Sequence, residues 1–236
     1  MRFLRHVAIV AWKDLRVELR TREIVYTTLF FATMAVLMFT FAFIDVEERE
    51  SPSPSLTVIR TFGNPSAAIL WVAVSFSGLL ALGRAFDRER EGDTIRGLLL
   101  APAERGALFL GKAIGVVIFL LLVEAVVVPM IGFFFQAPIL DHLGLLVLLL
   151  VLATIGFAVV GSTFAAMLLR ARMREVLLPV ILYPVLVPVL IAGAKGTAAL
   201  FQNTPSGAAY WAWFLLVFDL IFLTVALWAF ESLVIE

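Results

Sequence analysis

Acidic residues inside long apolar runs are the groups of this chain best placed to do chemistry. Glu124 and Asp219 each interrupt a separate apolar run. A charged side chain at the centre of a membrane helix costs about 2.5 to 3.5 kcal/mol on insertion scales, so each carboxyl should face protein or water. The two residues predict either a route for substrate or protons, or neutral carboxyls hydrogen-bonded between helices near Thr154 or Tyr183. The second reading is favoured, because neither has an intramembrane Lys or Arg as a partner.

Other groups suited to metal or covalent chemistry are few. The chain has no Cys, which excludes disulfides, thiolate metal sites and thiol relays, and it has two His. His6 lies in the N-terminal segment, and His142 follows Asp141 in a short loop, where it could ligate heme iron. A lone loop histidine is more often solvated. The sequence therefore predicts no catalytic residue and no metal site, and it assigns no heme ligand.

The segment GALFLGKA, residues 106–113, matches the spacing of a phosphate-binding loop. Such a loop needs a Ser or Thr after its Lys and a strand before it, whereas here Ala113 follows Lys112 and the flanking pattern is apolar and helical. Gly111 and Gly115 instead have the spacing that lets two helices approach closely. Nucleotide binding by this chain is not expected.

Composition and hydropathy indicate an integral membrane protein. Of the 236 residues, 62% are hydrophobic, and the mean hydropathy is +1.05. The net charge of zero points away from nucleic acid as a partner. A membrane span needs about 20 apolar helical residues. Six segments qualify, so we predict an all-α protein with one permease domain over residues 1–236 and spans near 24–44, 67–86, 113–135, 143–168, 176–194 and 209–230.

Basic residues lie mainly on one side of this predicted topology. Fifteen of the eighteen Lys and Arg fall in the N-terminal segment, the loop 84–112 and the loop before the fifth span. Short loops rich in Lys and Arg stay in the cytoplasm. Both termini and the loop 84–112 are therefore predicted to be cytoplasmic. We expect the five Trp to anchor the interfaces, Trp12 and Trp228 on the inner side and Trp71, Trp211 and Trp213 on the outer.

The first 23 residues have the spacing of an amphipathic interfacial helix. Apolar residues recur at helical intervals while most of the basic residues lie elsewhere around the helix. The apolar set is Leu4, Ala8, Ala11, Trp12, Leu15 and Leu19. We expect this segment to enter the membrane as an elbow; a solvated basic tail would not explain the spacing.

The loop 84–112 holds the densest cluster of charges, followed by a short apolar helix. Gly92 can end a helix, and residues 94–100, TIRGLLL, precede Pro102. Ile95, Leu98 and Leu99 fall on one side of that short helix. Their apolar surface needs a cover, which is either a protein partner or the bundle itself.

The run EREGDTIRGLLLAPAERGALFLGK resembles the cytoplasmic loop of ABC-2 type permeases. More specifically, residues 65–86 and 156–194 resemble the heme exporter protein B family of the cytochrome c maturation system, although Gly83 stands where that pattern has an acidic residue. The resemblance implies an ABC-2 permease fold and a coupling helix that docks on an ATPase. The residues implied in docking are Asp87, Arg88, Glu89, Arg90, Glu91, Gly92, Asp93, Thr94, Ile95, Leu98, Leu99 and Leu100.

The same resemblance implies a non-catalytic membrane subunit in the bacterial inner membrane. Its expected partners are a cytoplasmic ABC ATPase, a heme-handling membrane subunit and a possible second permease copy. ATP would act through the ATPase, and heme would be exported or released at the outer face as a substrate, with no resident cofactor. Two alternatives remain: an ABC-2 permease for another hydrophobic substrate, and an assembly subunit that transports nothing.

Overall fold

Seven helices make up the part of the chain that the structure describes. The computed structural model describes residues 2–47, 65–91, 105–168, 171 and 173–233, with no strand among them. The helices are α1 Arg2–Thr21, α2 Glu23–Glu47, α3 Pro65–Glu91, α4 Arg105–Phe135, α5 Leu143–Met167, α6 Arg174–Phe201 and α7 Pro205–Leu233. The predicted all-α fold is confirmed.

Six of the seven helices are long and apolar enough to cross a membrane. Their candidate spans are Val25–Ala42, Pro65–Ala85, Gly106–Phe135, Leu143–Met167, Arg174–Phe201 and Pro205–Ala229. Each overlaps one of the predicted spans. A helix rises about 1.5 Å per residue, so the 31 residues of α4 extend about 46 Å and exceed a hydrocarbon core of about 30 Å.

The helices α3 and α5 form the centre of the bundle. In their candidate spans 67% and 56% of the residues are buried, against 22% in those of α2 and α7. Glycines bring the two central helices together, because a Cβ on Gly78 would overlap the ring of Phe157 and one on Gly161 would overlap Leu82. Small residues at such positions are typical of close helix contacts within membranes.

The elbow α1 is helical as predicted, and it packs on the beginning of α4. The side chains buried there are Val7, Val10 and Ala11. Of the predicted apolar set, Leu4 and Trp12 are exposed in the isolated bundle. Successive helical residues are separated by about 100°, so α1 carries one apolar stripe for α4 and a neighbouring one for lipid.

The boundaries of two predicted segments differ in the structure. The ends of the loop 84–112 are helical, since α3 continues to Glu91 and α4 begins at Arg105. The fifth span, predicted near 176–194, is longer: α6 continues through Pro179, Pro184 and Pro188 to Phe201, and α7 begins at Pro205 after a short turn. Pro at the first helical position is favourable, because its missing N–H would have no partner there.

Candidate functional site

Helix ends converge at one end of the bundle, which we call the basic end: α1, the end of α3, the beginnings of α4 and α6, and the end of α7. Lys112 Nζ on α4 lies 3.4 Å from Asp14 Oδ2 on α1. A Cβ on Gly106 of α4 would come within 3.7 Å of Leu227 on α7. The segment between α3 and α4 therefore starts and finishes at this end.

The contact of α1 with α4 is tight and partly ionic. A Cβ on Gly111 would come within 2.7 Å of Val10 Cβ and 3.1 Å of the Val7 carbonyl oxygen. The side chain of Lys112 is 13% exposed and that of Asp14 is 28% exposed, so their ion pair is partly shielded from water. The prediction that Gly111 allows close packing is confirmed, and residues 106–113 are helical, without the loop that phosphate binding needs.

Arg174 joins α6 to α3 at the same end. Only 2% of its surface is exposed, and its Nη2 donates to the carbonyl oxygen of Gly83 at 3.3 Å. Nothing lies within 4 Å of a Cβ built on Gly83. The sequence placed Arg174 in a cytoplasmic loop as an orientation signal. The sequence did not predict that Arg174 is buried, because the residue follows a basic loop and its charge fits a position in that loop.

The predicted coupling residues fall at or beyond the limit of the described chain. Residues 87–91, which are Asp87, Arg88, Glu89, Arg90 and Glu91, form the last helical turn of α3, and only their backbone is described. The others lie outside the described residues: Gly92, Asp93, Thr94, Ile95, Leu98, Leu99 and Leu100. Their role stays a prediction.

Glu124 is buried on α4 with 2% of its surface exposed. The hydroxyl of Thr154 on α5 donates to Glu124 Oε1 at 2.5 Å, whereas Oε2 has no hydrogen-bond partner among the described residues. The predicted interhelical hydrogen bond to Thr154 is confirmed. Helix α4 therefore fixes one oxygen of the carboxyl against α5, and the other oxygen keeps its capacity for a further partner.

Asp219 on α7 is 7% exposed, and neither of its carboxyl oxygens has a hydrogen-bond partner in the described part of the chain. A Cβ on Gly156 would come within 2.6 Å of Asp219 Oδ1, so the carboxyl packs directly against the backbone of α5. The hydrogen bond expected for Asp219 is absent there. Thr154 and Gly156 are two residues apart, which places the two carboxyls at similar depth on different sides of α5.

A groove of about 760 Å³ runs between α4 and α5. Glu124 lines it in the apolar part of the bundle, and Asp141, in the connection between the two helices, lines its outer part. The remaining lining residues are Leu121, Ala125, Val128, Pro129, Gly132, Ala137, Pro138, Ile139, Leu140, Leu143, Leu146, Val147, Leu150 and Val151. The sequence did not predict this groove, because its walls come from two helices whose relative rotation a sequence does not give.

At the end of the bundle opposite the basic end, a side-chain hydrogen bond joins two connections between helices. His142 Nε2 lies 2.7 Å from Asn203 Oδ1, which joins the α4–α5 connection to the α6–α7 turn. Asn203 has a φ of 57°, a left-handed conformation that Asn tolerates better than most residues. His142 keeps partial exposure, as expected of a loop histidine, and it is also hydrogen-bonded to Asn203. No group of metal-binding side chains occurs among the described residues.

The position of Trp71 differs from the one predicted from the sequence. It was predicted to anchor the membrane interface, but it is 3% exposed and its Nε1 donates to Thr197 Oγ1 at 3.1 Å. Trp12, Trp213 and Trp228 are more than half exposed, as lipid-facing anchors should be. The indole of Trp71 fits inside the bundle because it packs on Gly193 of α6.

Similarity to known proteins indicates the role of these contacts. Comparison with curated proteins gives no match. The family model described as CcmB protein matches residues 5–234, which span all seven helices. Because that match covers nearly the whole chain, this multi-pass membrane protein belongs to the CcmB (heme exporter protein B) family, the heme exporter membrane subunits of cytochrome c maturation systems.

Proposed function

We propose that this chain couples ATP hydrolysis in a separate cytoplasmic ATPase subunit to the export or release of heme at the outer face of the bacterial inner membrane. The observation that carries the proposal is the convergence of helix ends at the basic end, where α4 contacts α1 and α7, and α6 contacts α3. A partner that binds the segment between α3 and α4 has direct mechanical access to these helices.

The basic end is connected well enough to transmit a displacement. Movement of α4 along its axis would carry α1 with it, because Gly111 packs on Val10 and Lys112 pairs with Asp14. Movement of α3 would pull on α6 through the bond from Arg174 to the Gly83 carbonyl. Packed helices shift between discrete arrangements rather than deforming continuously, so a pull at this end can reach the opposite end.

The family membership supports heme as the substrate, and a heme-handling membrane subunit is the expected second partner. The chain itself is assigned no catalytic residue. We propose that it holds the ATPase on the cytoplasmic side and the heme-handling subunit within the membrane, with a possible second copy completing the assembly.

Docking is tested by co-purification of the chain with the candidate ATPase in detergent. Leu98→Asp/Leu99→Asp should abolish both complex formation and stimulated ATP hydrolysis, because it places two charges on the apolar face expected to meet the ATPase. Leu98→Met/Leu99→Met keeps that face apolar and should preserve both. Unchanged assembly and hydrolysis in a folded Asp variant would overturn the docking role of residues 84–112.

Orientation is tested with single cysteines, because the chain has none of its own. Lys13 is exposed at the basic end, and Gln202 is exposed at the opposite end. With a membrane-impermeant maleimide, Gln202→Cys should react in intact cells with a permeabilised outer membrane, and Lys13→Cys only after the inner membrane is opened. The reverse pattern would place the basic end outside and contradict a cytoplasmic ATPase partner.

A further inference from the structure

We propose that the groove between α4 and α5 binds a lipophilic organic cation, an ammonium or phosphonium group carried on an apolar body, with its positive charge beside Glu124. Binding in this groove would be an additional property of the chain. It depends neither on ATPase docking nor on the route that heme takes.

The shape and lining of the groove suit a small apolar molecule. Its volume of about 760 Å³ lies within the range of about 300 to 1,000 Å³ typical of ligand sites. Aliphatic side chains from both helices form most of its walls, including Val128, Leu146 and Val151. An apolar body of one or a few rings would bury its surface there at no cost in unmatched polar groups.

The acidic groups of the lining favour a cation. Glu124 and Asp141 are its titratable residues, and both carry carboxyl groups. Pro129, which also lines the groove, has no N–H to donate to the carbonyl of Ala125, so that helical hydrogen bond is missing there. An anion, such as the propionate groups of heme, would gain nothing from these carboxyl groups and would be repelled by them once they ionise, so heme is a poor fit.

Glu124 supplies the second, independent observation. The side chain is buried, Oε1 is held by Thr154, and Oε2 has no hydrogen-bond partner within the described residues. A buried carboxyl without a counter-ion keeps its proton, and a cation brought close to it offsets the cost of ionisation, so the carboxyl can release the proton to solvent when the cation binds. Glu124 therefore brings an acidic group with one unpartnered oxygen to the wall of the groove.

The test uses tetraphenylphosphonium, an apolar monocation, and the full chain purified in detergent. Equilibrium dialysis should show saturable binding to the wild type. Glu124→Gln keeps the size of the side chain and removes its ability to ionise, and it should weaken binding at least about tenfold. Ala125→Trp fills the groove without touching the carboxyl, and it should also abolish binding.

Two matched controls separate the groove from general effects. Asp219→Asn removes another buried carboxyl, which does not line the groove, and Val225→Trp introduces a Trp at an exposed position of α7. Both should bind like the wild type. Elution as a single species from a sizing column, with an unchanged thermal transition, confirms that each variant is folded.

Three results would overturn the proposal: no saturable binding to folded wild type, equal binding by Glu124→Gln, or equal loss in Asp219→Asn. A fourth would be loss in Asp141→Asn without loss in Glu124→Gln, because the charge would then sit at the mouth, as the headgroup of an aminolipid would. None of these results bears on ATPase co-purification, so the proposed function is tested independently of this proposal.

Discussion

The packing of Trp71 on Gly193 gives a quantitative prediction for the stability of the bundle. A Cβ on Gly193 would come within 2.5 Å of Trp71 Cε2 and 2.6 Å of Cζ2. An indole is a rigid plane, so it cannot fold aside as the tip of a leucine can. Gly193→Ala should displace the ring and stretch or break the hydrogen bond from Trp71 Nε1 to Thr197, now 3.1 Å long.

The expected change in the free energy of unfolding combines two destabilising contributions and one stabilising contribution. Overpacking a tight core costs about 1 to 3 kcal/mol. Loss of an interhelical hydrogen bond in a membrane protein adds about 0.6 kcal/mol. Replacing Gly by Ala within a helix stabilises the helix by about 0.8 to 1.0 kcal/mol. We therefore expect Gly193→Ala to lower the free energy of unfolding by about 0.5 to 3 kcal/mol.

The assay is thermal unfolding in detergent followed by circular dichroism. A chain of this length loses about 2 to 4 °C of Tm per kcal/mol, so Gly193→Ala should melt several degrees below the wild type. Gly83→Ala is the matched control, because no atom lies within 4 Å of a Cβ there, and its Tm should be equal or slightly higher. In a Trp71→Leu background, Gly193→Ala should become neutral or stabilising. Equal Tm values for Gly193→Ala and Gly83→Ala would refute the packing argument.

Three further predictions concern contacts of α4. Thr154→Val leaves Glu124 with no hydrogen bond on Oε1, so Tm should fall, whereas Thr154→Ser should restore it; a melt that Thr154→Val does not change would contradict this. Gly111→Val should loosen α1, measured as faster proteolysis within residues 2–21, because the added side chain overlaps Val10. Asp14→Lys should accelerate the same cleavage, and the exchanged pair Asp14→Lys/Lys112→Asp should slow it again; cleavage at the wild-type rate in the single variant would show that the ion pair is unimportant.

Much of the architecture could be predicted because a bilayer leaves few choices. An apolar run of about 20 residues must be a helix, since lipid offers no partner to the backbone. For the same reason the approximate position of every span follows from hydropathy alone. Glu124 was also predictable as an interhelical hydrogen-bonding group, because a carboxyl in an apolar span has few other ways to be satisfied.

What the sequence could not give is the rotation of each helix about its axis. Trp71 has the residue type and the sequence position of an interfacial anchor. Its indole fits inside the bundle only because Gly193 lies opposite it. The groove depends in the same way on α4 and α5 turning Glu124 and Leu146 toward one space. Such pairings join residues far apart in the chain, and a hydropathy pattern carries no information about them.

Arg174 shows how one residue can serve both topology and packing. Its charge contributes to the basic loops that predict orientation, yet its side chain is buried and donates to the Gly83 carbonyl. The resemblance places an acidic residue at position 83, and the structure has open space there for a side chain. A carbonyl oxygen is a weaker partner for a guanidinium than a carboxylate is. One contact between α3 and α6 is therefore made to a backbone carbonyl, and the open space beside Gly83 leaves room for a carboxylate that would bind the same guanidinium more strongly.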